Sequence, residues 1–292
     1  MKKCIFTGSG VAIVTPFTSD GIDFDKLGEL IEYQIREKTD AIVICGTTGE
    51  ASTMPDEEHI SAIAYTVKKV NGRLPVIAGT GSNDTRHAIR LSKSAQEVGA
   101  DAILSVTPYY NKTTQRGLYE HFKVVAESIT IPVILYNVPS RTNLNINPDT
   151  LQKLSAIENI VAIKECNLNQ VGETINLCGK DFTIYSGEDG LIVPLMALGG
   201  KGVISVMANI IPKDTHDIAA KFLAGDLEGS RRLQLGTVEL IKALFMEVSP
   251  IPVKEAMNQM GLNVGKCRMP LVDMAANNKE ILVKAIQNYG LI

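Results

Sequence analysis

Eight short runs of almost entirely apolar residues constrain this chain more than any other feature. They are Gly10 to Val14, Ala41 to Cys45, Val76 to Ala78, Ala102 to Val106, Val133 to Tyr136, Ile160 to Ile163, Phe182 to Tyr185 and Gly202 to Val206. Runs this short and this apolar suit parallel strands buried on both faces. Each is followed by a segment with helical periodicity, so the pattern is a repeated strand–helix unit. Asn147-Pro148 offers an N-cap with proline in the first turn, leading into Leu151 and Leu154. Thr53 precedes an acidic stretch, Asp56 to Glu58, which suits a helix start. Gly72 and Gly99 stand where helices should stop. Eight such units over about 220 residues predict a (β/α)8 barrel, the TIM-barrel class of α/β folds. The competing arrangement is an open doubly wound sheet. Its dinucleotide-binding form carries G-x-G-x-x-G after the first strand, where this chain has Thr15-Pro16-Phe17. From about Gly225 the β-branched runs cease. Leu233, Val238, Leu240, Ile241, Leu244 and Phe245 then recur at helical spacing, as do Ile281, Leu282, Ala285 and Ile286. The expected organisation is a catalytic barrel over 1–225 and a small helical domain over 226–292.

Composition removes several classes. The 292 residues are 45% hydrophobic and 21% charged, with a net charge of −3, which is too apolar and too balanced for disorder. An acidic chain without a Lys/Arg block lacks the basic face that nucleic acid requires. No apolar run reaches the length of a membrane span. Lys2 and Lys3 imitate the start of an export signal, but Thr7, Gly8, Ser9 and Gly10 cut short the apolar stretch such a signal needs. Five scattered cysteines, Cys4, Cys45, Cys166, Cys178 and Cys267, fit a reduced cytoplasmic protein without a disulfide frame. His59, His87, His121 and His216 sit on helical segments without ligand spacing, so a metal site is not expected.

In a barrel the active site lies at the C-terminal ends of the strands, so the residues closing each run carry the information. One run ends directly in a cation: Ile160-Val161-Ala162-Ile163-Lys164. An ordinary strand-end lysine snorkels into water. A Schiff-base lysine must be neutral, and an unperturbed one is neutral in only about one molecule in 2,500 at pH 7. Desolvation in a barrel mouth would supply that form. The preceding strand ends in Tyr136, and neighbouring strands lie about 4.8 Å apart. A phenol there is either rim packing or a proton shuttle beside Lys164. Arg141 is either a surface arginine or a bidentate clamp for a carboxylate. The turn Gly46-Thr47-Thr48-Gly49-Glu50 lacks the Gly-Lys-Ser/Thr of a phosphate loop, and its hydroxyls suit a keto-acid carboxylate or a proton relay. Gly199-Gly200-Lys201-Gly202 reads as a tight turn more than a phosphate site. Glu50 and Glu165 are open between orienting and structural roles, with the structural role favoured.

These residues together resemble the dihydrodipicolinate synthase family, within the N-acetylneuraminate lyase superfamily of class I aldolase barrels. The resemblance spans essentially the whole chain. It rests on Gly46-Thr47-Thr48-Gly49-Glu50, Gly79-Thr80-Gly81-Ser82-Asn83, Pro108-Tyr109-Tyr110-Asn111-Lys112, Tyr136-Asn137-Val138-Pro139-Ser140-Arg141-Thr142, Ile163-Lys164-Glu165 and Gly202-Val203-Ile204-Ser205-Val206. It implies that Lys164 forms an imine with pyruvate, and that the derived enamine adds to L-aspartate 4-semialdehyde. Tyr136 would shuttle protons with Thr47 and Tyr110, the last from a neighbouring subunit. Thr48 would hold the pyruvate carboxylate and Arg141 that of the semialdehyde, with Gly187 and Ile204 shaping the pocket. It further implies a homotetramer built as a dimer of dimers, with no cofactor. Other pyruvate aldolases of the superfamily, for N-acetylneuraminate or 2-keto-3-deoxy sugar acids, would not require Arg141. A non-catalytic keto-acid sensor would not require the full set. Relatives often bind L-lysine in a cleft at the tight-dimer interface. There this chain keeps His59, Asn83 and Tyr109, but has Ala51 for a serine, Asp56 for a histidine and His87 for an acid. The expectation is weak or absent inhibition by lysine.

Overall fold

The computed structural model describes residues 2–292. Eight parallel strands close into a barrel: β1 (Gly8–Ala12), β2 (Ala41–Ile44), β3 (Val76–Gly79), β4 (Ala102–Val106), β5 (Val133–Asn137), β6 (Ile160–Glu165), β7 (Thr183–Ser186) and β8 (Gly202–Ser205). Each pairs with its sequence neighbours, and β1 pairs with β8 to complete the ring. All eight expected runs are strands, with ends shifted by at most two residues. The first begins at Gly8, not Gly10, because its ladder to β8 starts at the Gly8–Gly202 pair. Gly202 is obligatory there: its φ is +147° and a Cβ would lie 1.9 Å from the Gly8 carbonyl oxygen. Ile13 and Val14 are buried beyond the strand end.

Helices α1 (Phe24–Arg36), α2 (Asp56–Val70), α3 (Thr85–Glu97), α4 (Gln115–Glu127), α5 (Pro148–Ser155), α6 (Val171–Cys178), α7 (Ile192–Ala197) and α8 (Pro212–Leu223) follow the strands in turn. Helix α5 starts at Pro148 as expected, but Asn147 makes no side-chain cap; its side-chain oxygen accepts from Asn145 instead. Helix α2 starts at Asp56, with the segment Ala51–Thr53 forming a separate 3₁₀ turn before it. Helices α9 (Leu227–Gly236), α10 (Val238–Leu244), α11 (Ile251–Gln259) and α12 (Ala276–Tyr289) form the C-terminal region. Among the described residues no helix is long and apolar enough to cross a membrane.

Alternation along the strands produces two cores. Outward residues such as Ile42, Ile44, Leu135 and Ile163 pack against the helices. Inward residues such as Val43, Ile77, Leu104, Ile134, Ala162 and Tyr185 fill the barrel. Between β5 and β6 the register shifts by one residue at Val133/Ile134, after which Tyr136 pairs with Lys164 and Asn137 with Glu165. A period-2 strand turns paired residues to the same face. Tyr136 and Lys164 therefore point into the barrel, and Asn137 and Glu165 point out.

Candidate active site

Lys164 lies within β6, one residue short of its end, and not just beyond the strand as the run Ile160 to Ile163 implied. Its neighbours in the ladder are Tyr136 on one side and Tyr185 on the other. The side chain is buried, and its Nζ stands 4.4 Å from the centroid of the Tyr136 ring. Burial lowers its pKa, and Arg141 adds to that effect, while Cys166, Asp189 and Glu188 oppose it. Burial is the largest influence, so the amine is biased toward its neutral form. Burial also raises the phenol pKa of Tyr136, which keeps a proton on the hydroxyl. The nearby Cys166 thiol raises it further and is itself pushed up to about 12 by burial, so it stays protonated.

Lys164 and Tyr136 face a cavity of about 340 Å³ at the C-terminal end of the barrel. Thr47, Thr48, Arg141 and Gly187 line the same cavity. Gly187 is required by close packing, since a Cβ there would lie 2.3 Å from Cys166 Sγ and 3.3 Å from Lys164 Cε. Arg141 sits in a one-turn helix, Pro139–Thr142, and its Nη2 donates to the Ser249 carbonyl at 3.3 Å. The guanidinium is otherwise open to the mouth. The small cavity thus combines a desolvated amine, a protonated phenol, two hydroxyls and a cation, which is the equipment for imine chemistry on a carboxylated carbonyl compound.

Some expected residues lie elsewhere. Ile204 is fully buried in the barrel core and does not line the cavity; Val206, two residues on, does. Tyr110 is 92% exposed with a left-handed φ of +68°, and it does not line the cavity. A second cavity of about 380 Å³ adjoins the first and shares Thr47, Tyr136 and Arg141 with it. Ala51, Asp56, His59, His87 and Tyr109 line it. His87 donates or accepts at both ring nitrogens, to Asp56 at 2.8 Å and Ser82 at 3.2 Å. His59 meets the Gly79 carbonyl at 2.7 Å, and burial lowers its pKa. Asn83 stands outside the lining and donates to the Tyr109 carbonyl. Among the described residues no group of three His, Cys, Asp or Glu side chains is arranged to hold a metal.

Other cavity residues lie outside the set that sequence reasoning picks out. Val138, Ser140 and Glu188 come just after strand ends, and their position is the signal that could have found them. Phe245 and Ser249 come from the C-terminal region, where nothing local signals an active-site role. Cys166 does not line the cavity, and its place two residues from Lys164 is its only signal.

The sequence profile of the Dihydrodipicolinate synthetase family matches residues 5–289. The chain is 71% identical over 292 residues to a 4-hydroxy-tetrahydrodipicolinate synthase of Acetivibrio thermocellus, covering 100% of both chains. A second such synthase, from Caldicellulosiruptor bescii, is 57% identical over 98% of each chain. A crystal structure of a dihydrodipicolinate synthase from Aquifex aeolicus superposes with a TM-score of 0.96 at 46% identity, over 98% of this chain and 99% of that one.

Proposed function

The chain belongs to the dihydrodipicolinate synthetase family, and from that premise we infer which of its residues carry the reaction. The activity is a Schiff-base lyase reaction that condenses pyruvate with L-aspartate 4-semialdehyde to 4-hydroxy-tetrahydrodipicolinate, in lysine and diaminopimelate biosynthesis. Lys164 Nζ attacks C2 of pyruvate, and loss of water gives the imine. Loss of a methyl proton gives the enamine, whose carbon adds to the aldehyde of the semialdehyde. The amino group of that substrate then displaces Lys164 as the ring closes. The observation that carries this assignment is the buried amine of Lys164 over the Tyr136 ring, inside the cavity.

Tyr136 is the proton shuttle, relaying through Thr47 and through Tyr110 of a second copy. The exposed Tyr110 favours that reading, since its side chain is free to enter a neighbour's mouth. The assembly that the family resemblance implies is a homotetramer, a dimer of dimers, and the proposed compartment is the cytoplasm. Thr48 takes the pyruvate carboxylate, Arg141 takes that of the semialdehyde, and Gly187 leaves room for both. Ile204 shapes the barrel floor beneath them. The barrel over 1–225 supplies the chemistry, and the helical region over 226–292 closes one side of the mouth. In the adjoining cleft, His87 and Asp56 exchange the positions of acid and base expected for an L-lysine site, and L-lysine inhibits weakly or not at all.

Incubation with pyruvate and borohydride should leave a reduced adduct on Lys164. Turnover should be seen with aspartate semialdehyde and be absent with sialic acid. No adduct, or an adduct on another lysine, refutes the assignment; an adduct without turnover favours a sensor.

A further inference from the structure

The chain buries a second lysine completely. Lys254, in α11, is 2% exposed, and its carboxylate partner Glu50 has a side chain only 1% exposed. The two meet at 2.8 Å. Lys254 also donates to the carbonyls of Thr15 and Lys266, both at 2.9 Å, so all three ammonium protons are used. Its Nζ lies 4.8 Å from the Phe17 ring centroid. The other oxygen of Glu50 accepts from the Arg268 backbone N–H at 2.8 Å. One buried carboxylate therefore binds two separate segments of the C-terminal region.

Glu50 also closes the turn that carries Thr47 and Thr48. Its N–H donates to the Thr47 carbonyl, and that of Gly49 donates to the Gly46 carbonyl, both at 3.1 Å. The turn is bracketed by two non-glycine residues in the left-handed region, Cys45 at φ +56° and Glu50 at φ +57°. Such conformations persist only where the surroundings impose them. Thr15 Oγ1 donates to the Gly49 carbonyl at 2.8 Å, so the residue held by Lys254 braces the turn a second time. On its other side, α11 begins just after Ser249, whose carbonyl receives Arg141 and which lines the cavity with Phe245. A buried ion pair gives little net stability over apolar residues of equal volume, and its distinctive contribution here is geometric.

We infer that the Glu50–Lys254 pair is a positioning device that docks the C-terminal helices on the Gly46–Glu50 turn and so fixes Thr47 and Thr48 at the cavity Lys164 lines. Neither residue touches the reacting atoms. The consequence for function is that the C-terminal region sets pyruvate affinity from outside the barrel. The inference rests on the proposed role of Thr48 toward pyruvate.

The test measures the pyruvate concentration that half-saturates borohydride trapping on Lys164. The full chain carries Glu50→Gln, Lys254→Met or both, and melting temperature is read alongside. Lys254→Met strands a buried carboxylate, so the double variant, with neither charge, is the decisive one. It should stay folded and need about tenfold more pyruvate, the scale of a displaced binding group. Glu50→Gln, which keeps an acceptor for Lys254, should need about threefold more. Half-saturation unchanged in the double variant, with only its melting temperature lowered, overturns the inference. Should the double variant fail to fold, Glu50→Gln decides by the same criterion. Thr48→Val is run in parallel. An unaltered half-saturation in that variant refutes the role given to Thr48, whereas the clasp is judged by its own variants.

Discussion

Lys164 and Lys254 are both buried lysines in one molecule, and their surroundings are opposite. Lys254 has three acceptors and a carboxylate among them. Lys164 has no ion-pair partner among the described residues; a ring face lies 4.4 Å away and burial lowers its pKa. Removing water from a cation penalises its charge, and the penalty is offset only where acceptors replace the water. Burial alone therefore does not make a lysine a nucleophile. Burial without acceptors does, and it places reactivity at the C-terminal mouth of the barrel and structure at the junction with the helices.

Removing the lysine without acceptors gives the largest effect. Lys164→Ala should abolish borohydride trapping and lower turnover by at least about 10³-fold, the scale of a lost nucleophile; trapping that survives in this variant would assign the imine to another residue. Arg141→Ala tests the cation at the mouth. It should leave trapping with pyruvate intact and reduce turnover with the semialdehyde by about 10- to 100-fold, as expected for a lost charge-assisted carboxylate contact. Slower pyruvate trapping at a pH where the Lys164 amine is neutral with or without the nearby guanidinium would move Arg141 to the first substrate. The depressed pKa of Lys164 has a sign that can be read directly. At subsaturating pyruvate the trapping rate should rise about tenfold per pH unit below that pKa. It should level off below pH 10.5, the ordinary lysine value. A rate still climbing through pH 10.5 would mean the amine is solvated.

Glu165 offers a smaller contrast, since it lies beside Lys164 in sequence but on the outer face of β6. Asn137 and Gln170 side chains and the Asn167 N–H all donate to it at 2.8 Å. Burial outweighs these bonds and raises its pKa from 4.5 to about 7. The folded state thus holds a proton that the unfolded state has released between those values, so this group's contribution to stability is full below pH 4.5 and is lost as pH rises through 7. The change is of the order of 3 kcal/mol. Denaturant titrations from pH 4.5 to 8 should show that fall in the unmodified chain and not in Glu165→Gln. Identical pH slopes would rule out Glu165 as its source.

Much of the fold is visible in the sequence because barrel strands are local: a run such as Ala102 to Val106 is apolar on both faces wherever it occurs, and its end marks the mouth. Lys164, Tyr136, Thr48 and Arg141 all come at or after the ends of such runs, and the structure brings them to one cavity. The role of Glu50 is not legible, because its partner lies 204 positions away in a helix with no distinguishing pattern. Phe245 and Ser249 are hidden for the same reason. The inward orientation of Lys164 depends on a one-residue register shift between β5 and β6, which hydrophobic pattern alone does not encode.

The cleft beside the active site extends the contrast between satisfied and unsatisfied charge, and carries the smallest predicted effect. There Asp56 and His87 satisfy each other at 2.8 Å, and Ser82 takes the second ring nitrogen of His87. His59 is engaged by the Gly79 carbonyl and its burial favours the neutral ring. An amino acid entering this cleft would need a carboxylate for its ammonium group, and the only acid among the named cleft residues is already paired with an imidazole. The pair is partly exposed and worth little by itself, but a ligand ammonium must displace the imidazole to reach the acid, so one partly exposed contact replaces another with no net gain. Millimolar L-lysine should therefore change the initial rate less than about twofold. Asp56→His with His87→Glu restores the acid and base to the opposite helices, and should raise lysine sensitivity by about tenfold if the missing carboxylate is the cause. Half-inhibition of the unmodified chain below about 1 mM lysine, on the other hand, would mean that the ligand opens the Asp56–His87 pair.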